Sequence, residues 1–402
     1  MLISLFNSLS ILIWFKYSLF IANNLVDIGL NMGSYLSIFK SIVLPVGISF
    51  YTFQSISYVV DVYRRDIEAE VSYPNYLLFL LFFPQLVAGP IVTAKSFLPQ
   101  IRKNPVFSDL PLAFGFFLIL LGLFKKLVLA DHLALPSEYA FQHVKDLDPR
   151  SLWIGLLSYS FQIYCDFSGY TDIAQGSALM LGYHLPENFR MPYLSRGFSE
   201  FWTRWHISLS TWLKDYLYIP LGGNRRSKLV TIRNLFLVMI LGGLWHGASW
   251  NFLIWGFCHG LFLALERCFR SLFNWSRLAL PFVSNVFLVP FTFFAVTILW
   301  IPFRSPNLET SLWYLQGLFM KNADFSLPYG YEMNFFYSFI FILVGHIIGK
   351  KMFNTNEQML NTFKKLAFSK GKLGFLGFCY AIVIVLIVLY SAEGLPFVYF
   401  VF

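Results

Sequence analysis

The sequence predicts an all-α, multi-pass membrane protein. Of its 402 residues 57% are hydrophobic and 20% aromatic, but only 13% are charged. A soluble domain carries about 25% charged residues, which it needs to cover a water-facing surface. Apolar runs recur along the whole chain at lengths near the roughly 20 residues of a spanning helix. They are apolar at every position, which argues against an outer-membrane barrel with its polar, lumen-facing alternate residues. The net charge of +9 follows from basic loops on the cytoplasmic side. A nucleic-acid partner would need a basic face on a soluble domain, so the expected surroundings are a lipid bilayer. Cys165, Cys258, Cys268 and Cys379 lie in or beside apolar runs without CxxC spacing. They read as small buried hydrophobes, with neither a disulfide nor a metal site expected.

Nine segments match a span: 3–22, 37–60, 74–93, 110–130, 151–182, 232–266, 284–303, 334–350 and 373–391. Met1–Phe20 lacks a small-residue cleavage site and runs into further apolar sequence, so it reads as a retained span. The 232–266 segment is too long for one simple crossing and contains Gly242, Gly243 and Gly247. It is either a long tilted helix or a broken, partly re-entrant pair, tolerated at depth where protein surrounds the break. Basic clusters at Arg64-Arg65, Arg102-Lys103, Arg225-Arg226-Lys228, Lys350-Lys351 and Lys364–Lys372 mark cytoplasmic loops. Lys125-Lys126, inside an apolar segment, reads as a helix end with snorkelling side chains. No repeat or long linker divides the chain, so residues 1–402 form one membrane domain.

Several polar residues interrupt the apolar runs: Gln54, Asp61, Gln85, Asp166 and Asp172. Polar groups at such depth are either functional or bond one helix to another. The spacing leaves both readings open.

The stretch 198–260 carries the strongest chemical signal. As a helix, Glu200–Tyr216 puts Trp202, Trp205, Leu209, Trp212, Leu213 and Tyr216 on one face, opposite a stripe of Arg204, Ser208, Thr211 and Asp215. It is too polar to span and suits the membrane interface. His206 sits at the edge of the aromatic face, either in the chemistry or bonded to a neighbour. His246 is the stronger candidate: an idle imidazole in an apolar segment is costly, and flanking Gly243 and Gly247 leave room for a substrate or another backbone. Imidazole takes and returns a proton near neutral pH. His259 falls about 220° round from His246 on a continuous helix, which suits a helix contact. There is no G-x-S-x-G, P-loop or H-E-x-x-H motif. His143 and Asp148 satisfy H-x4-D, but Asp148-Pro149 marks a turn in a polar loop and the match is discounted.

Phe201–Tyr218, Pro220–Arg225 and Gly243–Phe252 together resemble the membrane-bound O-acyltransferase (MBOAT) family, and more closely its bacterial alginate O-acetyltransferase branch. Leu44–Gln54, Phe83–Pro90, Tyr164–Asp172 and Pro396–Phe400 extend the match in order. The resemblance implies a helical core with a tunnel, His246 at the family's essential histidine and His206 at its second. Arg204, Asp166, Asp172, Gln85, Asn251 and Arg225 become substrate or tunnel candidates. Arg225 and Arg226 could attract coenzyme A phosphates, although cytoplasmic topology accounts for them equally. The implied reaction takes an acetyl group from a cytosolic thioester, acetyl-CoA as substrate rather than a resident cofactor. It passes across the bacterial inner membrane to an extracytoplasmic Ser–Gly–Asn–His-type acetyltransferase of an exopolysaccharide machinery. Competing readings are D-alanyl transfer from a carrier protein, as in the teichoic-acid branch, and a transporter. Members of the branch carry one or two helices before the region resembling Leu12–Asn24, whereas this chain begins almost there.

Overall fold

A computed structural model describes residues 1–103, 111–272, 284–320, 324–352, 355–367, 373–392, 394 and 396–397. Among them the chain is helical, with only two isolated β-bridges, Leu147 with Phe325 and Phe189 with Trp205. Six helices are long and apolar enough to cross a membrane: Leu2–Asp27, Leu112–Gln142, Lys228–His246, Trp250–Leu272, Asn285–Arg304 and Tyr331–Lys351. We number the helices used below α1 (Leu2–Asp27), α2 (Ile48–Arg64), α3 (Leu112–Gln142), α4 (Pro149–Met180), α5 (Ile207–Leu213), α6 (Lys228–His246), α7 (Trp250–Leu272) and α8 (Asn285–Arg304).

The 32-residue α4 is the element the others pack around, buried along most of its length. Its start is set locally: Pro149 occupies the first turn and the Asp148 carboxylate accepts from Ser151 N–H at 2.8 Å. That cap explains Asp148 without any chemistry. His143 stacks on Tyr139 and bonds its carbonyl at 3.0 Å, which removes the H-x4-D match as a site.

Helices α3 and α4 cross at two pairs of glycines, Gly115 against Gly176 and Gly122 against Gly169. A Cβ on Gly115 would stand 2.8 Å from the Gly176 carbonyl oxygen, and one on Gly169 would stand 2.8 Å from that of Gly122. Small residues seven apart on each helix let the two backbones touch, as helices do where lipid gives no hydrophobic drive to association. Within α3, Phe124–Ala130 is a π segment, and it turns Lys125 and Lys126 toward α4. Lys125 pairs with Asp172 at 2.6 Å; Lys126 pairs with Asp166 at 3.0 Å and with Asp131 at 2.8 Å. The two lysines are therefore inward ion-pair partners in mid-helix, not the snorkelling helix end expected from the sequence. Paired this way, the charges offset much of each other's desolvation.

Three further expectations are corrected. Segment 37–60 is two helices, Gly33–Lys40 and Ile48–Arg64, parted by a turn in which Gly47 has φ of +75°. Segment 74–93 is a nine-residue helix, Tyr73–Leu81, followed by irregular chain through residues 82–93; Phe79, Phe82 and Val92 are buried in protein, while Leu81 and Phe83 are exposed. Cys268 is exposed rather than buried. The long 232–266 segment is a broken pair, α6 and α7, with the break at Gly247–Ser249. Residues 368–372, within the last basic cluster, and 398–400, within the terminal motif, lie outside the described residues.

Gly122→Leu is expected to lower stability by about 1–3 kcal/mol, because the added side chain meets backbone on α4. Gly345→Leu, at a position with nothing within 4 Å, is the control and should be near neutral. Thermal unfolding of the two variants in detergent measures the difference.

Candidate active site

His246 is the last residue of α6; Gly247 after it is buried, and the turn is half-buried at Ala248 and Ser249. The break has a packing cause. Gly243 lies against the Phe252 backbone and within 3.3 Å, from an added Cβ, of the Gly256 Cα, so α6 and α7 meet backbone to backbone. The room beside His246 is thus taken by another backbone at Gly243 and by the Phe252 ring at Gly247. The imidazole is 6% exposed and is surrounded by rings: Trp245 at 5.0 Å, Phe303 at 5.1 Å and Trp255 at 5.2 Å between centroids. Asn251, the second residue of α7, donates to the Ser305 carbonyl at 2.7 Å and ties the start of that helix to the end of α8.

The carbonyls of the last α6 turn have no partner within the helix and are met from α1, 227 to 230 residues earlier in the chain. Tyr17 donates its hydroxyl to Leu244 O at 2.7 Å. The Lys16 ammonium donates to Trp245 O at 2.5 Å, His246 O at 3.1 Å and Ser49 Oγ at 3.3 Å. Lys16, Pro45, Gly47, Ser49, Trp245 and His246 together line a cavity of about 190 Å³.

His206 is fully buried, but not on the helix expected from the sequence. Glu200–Tyr216 breaks into Phe198–Trp202 and α5, and His206 stands between them with φ of +43°, as the residue before α5. A non-glycine residue holds that left-handed conformation only where its surroundings fix it. Here Asn188 does so. Its backbone carbonyl accepts from Ile207 N–H at 3.0 Å, and its Oδ1 accepts from Ser208 N–H at 3.1 Å and Ser208 Oγ at 2.6 Å. The His206 Nδ1 lies 3.4 Å from the same oxygen. A backbone N–H can only donate, so it fixes Oδ1 as the acceptor; Nδ1 then carries the proton and Nε2 is left with a lone pair. Burial pushes the His206 pKa down to about 3, which keeps the ring neutral. Ser208, expected on the outward stripe, is buried and accepts from Ile91 N–H at 2.9 Å. The Trp245 ring contacts both histidines, 6.0 Å from His206 and 5.0 Å from His246.

The remaining candidates fall elsewhere. Arg204 pairs with Glu200 at 2.8 Å and donates to Arg190 O at 3.0 Å. Asp166 is held by Lys126. Gln85 donates to Phe79 O at 3.2 Å, in the helix just before it. Arg225 is exposed in the turn before α6. Asp61 accepts from the Tyr216 hydroxyl at 2.8 Å, and Gln54 is buried two turns before it. Asp172 and Asn188 line a second cavity, about 340 Å³, with Lys125, Arg190, His346 and Asn356. His259 is enclosed by the rings of Trp255 at 4.7 Å and Trp202 at 5.1 Å, the helix contact expected of it. Sequence reasoning missed Lys16, Tyr17, Ser49 and Asn188. For Lys16 the signal was present, as a single cation within an apolar run; for Asn188 there was none.

A helical membrane protein with two buried histidines either side of a cavity-lining tryptophan is the class of protein this site defines. The chain belongs to the membrane-bound O-acyltransferase family, whose model matches residues 9–301. It is 43% identical over 311 residues to the Pseudomonas aeruginosa protein named probable alginate O-acetylase AlgI, covering 77% of this chain and 58% of that one. It is 38% identical over 349 residues to the peptidoglycan O-acetyltransferase of Helicobacter pylori, covering 80% and 65%. Similarity to the Bacillus subtilis teichoic acid D-alanyltransferase is lower, 28% over 245 residues, covering 58% and 60%. The chain thus spans about six tenths of the length of the curated relatives it matches.

Asn188→Ala would leave buried donors at Ser208 and His206 unmet, at a cost of about 1–3 kcal/mol. The expected result is a lower midpoint of thermal unfolding in detergent, together with loss of the fixed tautomer at His206.

Proposed function

We propose that the protein is a membrane O-acyltransferase of the bacterial inner membrane. In this reading it moves an acetyl group from cytosolic acetyl-CoA across the bilayer for O-acetylation of an exopolysaccharide. The observation that carries the reading is His246, a buried imidazole at a broken helix end and on the wall of a cavity, in a chain of this family. The higher identity to proteins named for O-acetylation than to one named for D-alanylation favours acetyl as the group moved.

The chemistry follows from the side chains. His246 takes the proton of an acceptor hydroxyl as that oxygen bonds to the thioester carbonyl carbon. The tetrahedral adduct collapses, the carbon–sulfur bond breaks, and the thiolate leaves with the proton returned from His246. General-base transfer of this kind contributes about 10²–10⁴-fold in rate. Placing both reactants in a site closed to water supplies a further part. His206, its ring held by Asn188, orients a substrate beside that base. Exposed Arg225 meets the donor's phosphates at the cytoplasmic side. The acceptor is a Ser–Gly–Asn–His-type acetyltransferase outside the membrane, which passes the group to the polymer.

The protein in proteoliposomes, given labelled acetyl-CoA and a soluble acceptor acetyltransferase, should transfer label. His246→Ala should lower the rate by about 10²–10⁴-fold while still inserting stably. Transfer by that variant at the wild-type rate would sink the assignment, and label accepted only from a D-alanyl carrier protein would move the reaction to the D-alanyl branch.

A further inference from the structure

We propose that Lys16 is a positioning residue of this active site, holding His246 in place through the end of α6 and keeping a positive charge beside the cavity. The inference rests on the acyl-transfer reading for its chemistry and on contacts alone for its geometry.

Lys16 is the only lysine or arginine among the first 39 residues. An ammonium in such a run normally either snorkels to the membrane surface or meets a carboxylate. Lys16 instead points inward, at the carbonyls of Trp245 and His246 and at the Ser49 hydroxyl. A lysine has three N–H donors, and these three acceptors use all of them. Lys16 and Tyr17 close a π segment, Ile13–Tyr17, and both side chains meet the end of α6. On a regular helix, neighbours in sequence point about 100° apart. Between them they satisfy the carbonyls of three successive residues, Leu244, Trp245 and His246.

Two consequences follow. The His246 main chain is anchored at the point where its helix stops, so the direction of the imidazole depends on a contact from α1. The partners of the ammonium are also neutral, in contrast to Lys125 and Lys126, each of which faces a carboxylate. Its charge faces the negative end of the α6 dipole and the Trp245 ring, 5.9 Å away, and stands on the wall of the cavity it lines with His246. When the acceptor oxygen bonds to the carbonyl carbon, the carbonyl oxygen becomes negative until the carbon–sulfur bond breaks. A fixed cation nearby favours that state over the neutral thioester, which lowers the barrier more than it tightens substrate binding.

The test compares Lys16→Met and Lys16→Arg in full-length protein in proteoliposomes. Lys16→Met should lower kcat by about 10²-fold with KM for acetyl-CoA within about twofold, and Lys16→Arg should recover at least about a tenth of the wild-type rate. A Lys16→Met enzyme with unchanged kcat, or one equally impaired as Lys16→Arg, overturns the role. A second measurement needs no turnover: in protein carrying 15N-labelled histidine, Lys16→Met should move the His246 resonance and leave that of His346 in place. An unmoved His246 resonance overturns the contact, even if His246→Ala shows the acyl-transfer reading itself to be wrong.

Discussion

The end of α6 is a largely buried helix terminus, and most of the site follows from how its carbonyls are met. A helix that stops inside protein leaves its last carbonyls unpaired, each costly to bury. Here a hydroxyl and an ammonium from the first helix do what solvent does elsewhere. The arrangement ties the two ends of a long stretch of sequence together and places the candidate base where helix, cavity and aromatic wall meet. Backbone packing at Gly243 and Gly256 then fixes how α7 leaves the break.

The two histidines are held by different physics. His246 is set by a helix end, whose carbonyl meets Lys16, and by a cage of rings. His206 is set by one asparagine that holds both the backbone turn and the ring nitrogen. Trp245 contacts both, so a change in the orientation of one is felt at the other through close-packed rings.

Much of this was legible from the sequence where the signal is local. The apolar runs gave the fold class, the excess length and glycines of 232–266 announced a break, and Asp148-Pro149 marked a helix start. What was not legible depends on contacts far apart in the chain. Residues 74–93 look like a span because they are apolar, but part of that apolar surface, Phe79, Phe82 and Val92 among it, is buried by protein, and hydropathy does not distinguish such burial from lipid. Glu200–Tyr216 has helical periodicity throughout, and the turn at His206 is imposed from outside it, by Asn188 and the neighbouring Phe189 and Arg190. Asp166 and Asp172 could be read from the sequence as interior carboxylates, but their partners Lys126 and Lys125, in the π segment of α3, could not.

That π segment is one of several, and three of them carry the side chains that reach inward: Lys16 and Tyr17, Lys125 and Lys126, and Tyr216. A π turn holds one more residue than the α-helical turn it replaces. Deleting a residue there would leave a smoother, more regular helix, while rotating everything beyond it by about 100°. In this protein helical regularity and polar contacts are therefore in opposition. A shorter first helix with a perfect hydrogen-bond ladder would be a better helix, and it would take its cation away from the candidate base.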